Sequence, residues 1–145
     1  MREFLVHVAV RSSAPVEQVW EVLADARRWK EWTPFTISEL EREGSPTPDG
    51  VGAMRRFGRG RVVSREEVTG FDPPRRLTYE LRSGLPIRDY RAEVTLTPWS
   101  EGTEIVWRSR FEQRVPGTGA FFRAFLQRIL GDTATRLARR AEQPR

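Results

Sequence analysis

Cysteine is absent from this chain of 145 residues, and histidine and lysine occur once each, as His7 and Lys30. The lack of cysteine excludes disulfides, thiolate metal sites and cysteine nucleophiles. With one histidine, a zinc site would need carboxylates alone, and a Ser-His-acid triad has no suitably placed partners. The segment GRGRVV lacks the Walker pattern for nucleotide phosphates. We therefore expect no metal and no cofactor.

Long apolar runs are also missing. No stretch of eighteen apolar residues occurs, so no membrane span is predicted. The first residues, MREFLVHVAV, begin an alternating pattern and lack the apolar block and cleavage site of a signal peptide. We expect a cytoplasmic protein, and an excess of arginine over lysine is typical of a high-GC bacterial genome.

The net charge is +5 and the pI about 10.8, which permits contact with nucleic acid or an acidic membrane. Most arginines, however, are interleaved with Glu and Asp, and this pattern favours a solvated surface. The last segment offers a basic surface, but Asp132 and Glu142 lie on it and no aromatic platform accompanies it. We therefore expect no nucleic-acid partner. The arginines of that surface are Arg123, Arg128, Arg136, Arg139 and Arg140.

The chain begins with a strand and two helices. In FLVHVAVRSS the apolar residues alternate, which places His7 on the face opposite Val6 and Val8. The next segment, APVEQVWEVLAD, predicts a helix with Pro15 at its first position. A second short helix is expected at about residues 26–31.

Six further strands and a long helix follow. Turn-rich segments separate the strands, and WSEG predicts a tight hairpin. From Phe121 onward the apolar residues have helical period over five to six turns, so a helix is expected from about Thr118, a plausible N-cap, to Arg140.

This order of elements, together with the local sequence of several segments, resembles that of the START-like or polyketide cyclase/dehydrase (SRPBCC) superfamily. The resemblance implies an α+β helix-grip fold, in which a curved seven-stranded antiparallel sheet wraps around the C-terminal helix and encloses a cavity. It implies one domain over residues 1–142 and a loose tail at 143–145. The matching pieces, which cover nearly the whole chain, are APVEQVWEVLAD, Trp29, Trp32, GVGAMRRF, EEVTGFDPPRRLTYEL, GLPIRDYRAEVTLTP, EGTEIVWRSRF and VPGTGAFFRAFL.

The resemblance implies a location for a site rather than one reaction, because the superfamily includes lipid carriers, aromatase/cyclases, secondary-metabolite binders and cochaperones. Our first hypothesis is binding of a small hydrophobic or aromatic, polyketide- or lipid-like molecule in the cavity, with or without cyclase/aromatase-type chemistry. The alternative is a protein-interaction module of the cochaperone type, with an exposed apolar patch and a small, filled cavity. The sequence leaves the ligand, catalysis and a homodimeric state open.

Strand alternation predicts which residues face the cavity. Tyr79, Tyr90 and Trp107 share faces with apolar neighbours, and Glu66 is in phase with Val68. An inward hydroxyl, indole N–H or carboxylate needs a partner, because an unpaired buried polar group costs roughly 1–3 kcal/mol. A wet pocket or a bound ligand would supply that partner.

Three further groups complete the predicted ligand-binding set. Arg55 and Arg56 are adjacent on a strand, so one of them must point inward, where it could pair with Glu66 or polarise a ligand oxygen. The pattern does not decide which of the two is inner. We include Arg55 in the predicted ligand-binding set. Trp29 is expected in the core, with Trp32 and Phe35 at the cavity entrance. The last helix is expected to close the cavity. Its contributing residues are Phe121, Phe125 and Ile129.

Overall fold

The computed structural model describes residues 2–144, so Met1 and Arg145, the last residue of the expected tail, lie outside it. The chain forms a strand, an α-helix, a 3₁₀ helix, six strands and a long α-helix, as predicted. The strands are β1 Glu3–Ser12, β2 Ile37–Arg42, β3 Met54–Arg59, β4 Val62–Asp72, β5 Arg76–Ser83, β6 Ile87–Trp99 and β7 Gly102–Gln113. The helices are α1 Val16–Ala24, the 3₁₀ helix Ala26–Glu31 and α2 Gly119–Ala141.

All seven strands belong to one sheet in the order β1-β7-β6-β5-β4-β3-β2, and every neighbouring pair is antiparallel. Six strands therefore follow one another as a meander, while β1 pairs with the last strand. The predicted α+β fold, a curved seven-stranded sheet with a long C-terminal helix, is confirmed.

One face of the sheet carries the core. The alternation in β1 places Val6 and Val8 inside and leaves His7 exposed, as expected. In β7 the same period buries Ile105, Trp107 and other inward residues. Helix α2 lies across this face and packs most extensively against β1. None of the helices within residues 2–144 combines the length and apolarity that crossing a bilayer would take.

Both helix starts differ in detail from the sequence prediction. Helix α1 begins at Val16, so Pro15 is its N-cap rather than its first residue. Thr118 is the N-cap of α2, as predicted, but its hydroxyl donates to the Val115 carbonyl at 2.6 Å and does not cap the helix. The side-chain oxygen of Gln113 accepts the Gly119 N–H instead, at 3.1 Å. The end of β7 thus caps the helix that follows it.

The far end of α2 is tied to the turn after β1. The Ser12 hydroxyl, which is buried, donates to the Ala138 carbonyl at 2.9 Å. The Ser13 N–H donates to the Glu142 carboxylate at 2.8 Å. Since Gln127 also donates to the His7 carbonyl at 2.8 Å, the helix is attached along the length of β1. The cavity therefore opens on the other side of α2, toward β3, β4 and β5.

Candidate ligand-binding site

A cavity of about 180 Å³ lies between the sheet and α2. Its wall is largely apolar, with a few polar groups from the central strands, which is the usual make-up of a small-molecule site. The wall residues are Trp29, Phe35, Phe57, Gly58, Arg59, Val62, Ser64, Glu66, Tyr79, Leu81, Gly84, Leu85, Tyr90, Trp107, Phe125, Leu126, Ile129, Leu130 and Thr133.

The inward arginine is Arg55, and it forms a buried ion pair. Arg55 and Glu66 are opposite each other in the β3–β4 register, so both side chains point to the same face of the sheet. The Arg55 Nη2 donates to Glu66 Oε1 at 2.8 Å, and the arginine side chain is only 1% exposed. Arg56 points outward to Glu39 and Glu41. The choice that the sequence left open is therefore settled in favour of Arg55.

Arg55 lies behind the cavity wall rather than in it. Its guanidinium carbon is 5.3, 5.0 and 4.9 Å from the ring centroids of Trp29, Phe57 and Tyr79. Cation–π attraction from three desolvated rings adds to the ion pair. Among the described residues its Nε finds no hydrogen-bond partner. Arg55 thus supports Glu66, and Glu66 is the charged group that reaches the cavity floor.

The two inward groups Tyr79 and Trp107 satisfy each other. The Trp107 Nε1 donates to the Tyr79 hydroxyl at 3.1 Å, and both side chains are buried. The partner that the sequence argument assigned to water or a ligand is therefore, for the indole, another side chain.

Burial dominates the acid–base properties of the site. It raises the pKa of Glu66 above its ordinary value, although the charge and hydrogen bond of Arg55 oppose this shift. Burial also raises the pKa of Tyr79 strongly, with further contributions from Tyr90 and the Glu66 charge. The pKa of Tyr90 rises for the same first reason and then because of Glu66. Both tyrosines are therefore neutral donors at physiological pH, and Glu66 is the group that can exchange a proton.

Trp29, in the 3₁₀ helix, is buried in the core as predicted, whereas Trp32, which caps the end of that helix, does not have the predicted position. Trp29 lines the cavity, stacking on Phe57 at 4.4 Å between ring centroids. Trp32 is buried behind Trp29, at 5.0 Å between centroids, and does not reach the cavity. The prediction that Trp32 lines the entrance is therefore wrong. The 3₁₀ backbone turns the first tryptophan toward the sheet and the second toward α1, while Phe35 lines the cavity as expected.

Helix α2 contributes two of its three predicted residues. Phe125 and Ile129 line the cavity mouth but remain 39% and 37% exposed. Phe121 is 65% exposed and lies outside the cavity, so that prediction is wrong. The buried stripe of the helix runs through Leu126 and Leu130, nearly half a turn around the axis from the face that Phe121 occupies.

The structure adds wall residues that the sequence argument did not select. Phe57 shares a strand face with Arg55 and could have been found once that arginine was known to point inward. Leu85 belongs to the turn between β5 and β6, and turn residues have no alternation from which a direction can be read. Leu126 and Leu130 are in the apolar set of α2, but period alone does not tell which of them meets a void.

The protein has a helix-grip fold that encloses a cavity. The fold consists of a curved antiparallel sheet with a helix across it, and the cavity between them is apolar with a few polar groups. The family model "Polyketide cyclase / dehydrase and lipid transport" matches residues 3–142 of the chain. The chain therefore belongs to this family, and the resemblance drawn from the sequence is confirmed. A search of curated proteins found no match.

Solved structures share the fold at low sequence identity. A START superfamily protein from Mycobacterium smegmatis is 16% identical, with 96% of this chain and 97% of that chain covered and a TM-score of 0.80. The Zhui aromatase/cyclase from Streptomyces sp. R1128 is 21% identical over 97% and 94%, with a TM-score of 0.77. Norcoclaurine synthase from Thalictrum flavum, solved with dopamine and hydroxybenzaldehyde, is 14% identical over 99% and 90%, with a TM-score of 0.76. At these identities the likeness shows the fold alone.

Proposed function

We propose that the chain binds a small, neutral aromatic molecule that carries a hydrogen-bond donor, with the ring in the cavity and the donor on Glu66. The observation that carries this proposal is the position of the Glu66 carboxylate. Its Oε1 is held by Arg55, while its Oε2 accepts no hydrogen bond from residues 2–144. A carboxylate oxygen in an apolar wall is a strong acceptor for a ligand O–H or N–H.

The size of the cavity supports a compact ligand. A cavity of about 150 Å³ holds a benzene molecule in an engineered protein core, and the volume here is about 180 Å³. One substituted ring therefore fits, whereas an extended lipid or polyketide chain would need the walls to move apart. The unfilled volume also favours ligand binding over the cochaperone-type alternative, for which we expected a filled cavity.

The charge of the site supports a neutral ligand. Glu66 and Arg55 compensate each other, so a ligand carboxylate placed on Glu66 would add an uncompensated negative charge in a desolvated site. A phenol-type O–H on Glu66 would instead be positioned to transfer its proton to that carboxylate. Such a transfer is the step that cyclase/aromatase-type chemistry asks of a general base, and the raised pKa of Glu66 suits that role.

We would test the proposal by calorimetric titration with 4-ethylphenol, ethylbenzene and 4-ethylbenzoate. We expect 4-ethylphenol to bind about 10-fold or more tightly than ethylbenzene, because a hydrogen bond to a charged group contributes about 1.5–3 kcal/mol. The benzoate should bind most weakly. In Glu66→Gln the advantage of the phenol over ethylbenzene should shrink.

A matched pair of helix variants controls for nonspecific binding. Ile129→Trp places a large ring at the cavity mouth and should weaken binding of all three compounds. Ala124→Trp adds the same ring at an exposed position of α2 outside the cavity, and binding should not change. Unaltered binding in Ile129→Trp, or equal affinities for the phenol and the benzoate, would show that the compounds bind elsewhere or in another mode.

A further inference from the structure

Exposed apolar side chains collect around the cavity mouth. Phe125 and Ile129 line the mouth while remaining partly exposed, and Val62, also in the wall, is 63% exposed. Phe121 extends this surface along α2, since its ring is parallel to that of Phe125 at 6.4 Å between centroids. These four residues, which we call the mouth patch, account for half of the eight large apolar residues that are exposed within residues 2–144. Such a concentration marks an interaction surface.

The charge around the mouth patch is of one sign. The segments that form the mouth, residues 33–36, 58–63, 83–87 and 121–129, contain four arginines and no Asp or Glu. Elsewhere many arginines are in ion pairs, as in Arg65 with Glu41 and Arg82 with Glu67. No acidic side chain of residues 2–144 lies within ion-pair distance of the arginines at the mouth. The four are Arg59, Arg61, Arg123 and Arg128.

We propose that the mouth patch docks on the surface of a lipid bilayer that contains anionic lipids. Apolar side chains enter the boundary between headgroups and acyl chains, and arginines extend to the phosphates above it. Each basic residue near an anionic leaflet adds about 1 kcal/mol of attraction. The patch combines both features on one side of the molecule, around the opening of its apolar cavity.

A bilayer fits this surface better than an acidic protein does. The exposed apolar side chains come from two separate elements, α2 and the first residue of β4, and they stand around an opening rather than in a groove. A protein helix would need such a groove, whereas a bilayer accepts protruding side chains without one. If the proposed ligand function also holds, an apolar ligand can pass between bilayer and cavity without crossing water.

The test is co-sedimentation of the full chain with vesicles of phosphatidylcholine alone or with 30% phosphatidylglycerol, each at low and high salt. We expect binding to the phosphatidylglycerol vesicles only, and weaker binding at high salt. Arg128→Ser should lower the partition coefficient about five-fold, and Phe121→Ser should lower it several-fold through lost apolar insertion.

Two control variants on the outer face of the sheet match these changes. Leu5→Ser removes an apolar residue that is 64% exposed, against 65% for Phe121, and Arg91→Ser removes an exposed arginine. Neither should alter partitioning. The docking proposal is overturned if both vesicle types bind equally or not at all, or if the controls lose as much binding as the mouth variants. It is also overturned if polyglutamate binds where vesicles do not, which would point to an acidic protein.

The two proposals can fail separately. Titration of 4-ethylphenol into the chain without vesicles reports on the cavity, and Phe121→Ser should leave it unchanged because Phe121 lies outside the wall. Vesicle binding that persists in Ile129→Trp with no ligand bound would support docking alone.

Discussion

The pairing of Arg55 with Glu66 removes two charges from most of their contact with water, since the side chains are 1% and 14% exposed. Removing water from an ion pair costs several kcal/mol for each charge, and the attraction repays this cost only with good geometry and further partners. Here the further partners are aromatic rings, which attract the guanidinium without donating to or accepting from it. The pair is therefore better explained as a means of presenting a carboxylate to the cavity than as a source of stability.

The raised pKa of Glu66 has a consequence for the pH dependence of folding. The folded state binds the Glu66 proton more tightly than the unfolded state does. The contribution of Glu66 to the free energy of unfolding is therefore fully present below the ordinary glutamate pKa of about 4.3. It is lost as pH rises through the raised pKa of the folded state. We expect the contribution of Glu66 to fall by up to about 1.4 kcal/mol per pH unit within that window.

Denaturant unfolding of the wild type and Glu66→Gln from pH 4 to 7 measures this contribution. The variant leaves Arg55 charged and unpaired, but that loss does not depend on pH, since the guanidinium stays protonated. The stability difference between the two proteins should therefore shift in favour of Glu66→Gln as pH rises. A difference that shifts the opposite way would mean that Arg55, and not burial, controls the pKa of Glu66.

Removing the arginine should be costly. In Arg55→Met the Glu66 carboxylate loses its buried partner, and we expect a loss of about 3–5 kcal/mol in the free energy of unfolding at pH 7. The double variant Arg55→Met/Glu66→Gln should recover part of this loss, as a double-mutant cycle of denaturant midpoints would show. If Arg55→Met is as stable as the wild type, the ion pair is not closed in solution.

Among the larger elements, the start of α2 depends on one close contact. Gly119, the first residue of the helix, lies against the ring of Phe4, and a methyl group there would overlap the ring. Phe4 is buried and stacks on Phe111 at 5.4 Å between centroids. Gly119→Ala should therefore destabilise the protein by about 1–3 kcal/mol through overpacking, although alanine is the better helix former.

Gly131 supplies the matched control in the same helix. Nothing lies within 4 Å of the position that its side chain would take. Gly131→Ala should raise stability by up to about 1 kcal/mol, since only helix propensity changes. Thermal unfolding of both variants measures whether Gly119→Ala lowers stability and Gly131→Ala raises it. Destabilisation by both substitutions would show that contact with Phe4 is not the cause at Gly119.

Sequence periodicity predicted the strands well because alternation directly reports which side chains share a face. It placed Glu66, Tyr79, Tyr90 and Trp107 on the inner face and His7 on the outer one, as the structure has them. The register that sets Arg55 opposite Glu66 needs the turn between β3 and β4, and alternation alone does not supply it.

Helical segments were predicted less completely. In α2 the phenylalanines spread over more than one face, so the apolar period did not identify the buried stripe and Phe121 was placed inside. The 3₁₀ helix has three residues per turn, yet Trp29 and Trp32 point to different surroundings because the turn ends at the second one. Tertiary packing, not period, decides such positions.

Over the protein surface, positive charge is mostly matched by neighbouring acids. Of the five arginines first considered for nucleic acid, three are in ion pairs with Asp132, Glu142 and Glu31. We therefore expect duplex DNA to bind weakly and to lose affinity by orders of magnitude between about 50 and 200 mM salt. Binding of 4-ethylphenol should barely change over that range, because burial of apolar area drives it.

Fluorescence anisotropy with labelled DNA and calorimetry with the phenol, each at both salt concentrations, separate these expectations. Tight, sequence-selective DNA binding that persists at 200 mM salt would instead make α2 a nucleic-acid surface.

The position of β1 beside β7 delays the pairing of β1 during synthesis. Its register joins Glu3 to Glu112 and Ser12 to Thr103, so β1 has no partner strand in the sheet until β7 has been made. The other six strands can form hairpins with their neighbours as they emerge. β1 therefore remains an unpaired apolar segment while β2 to β6 are made, and a chaperone that recognises extended apolar segments would find it there.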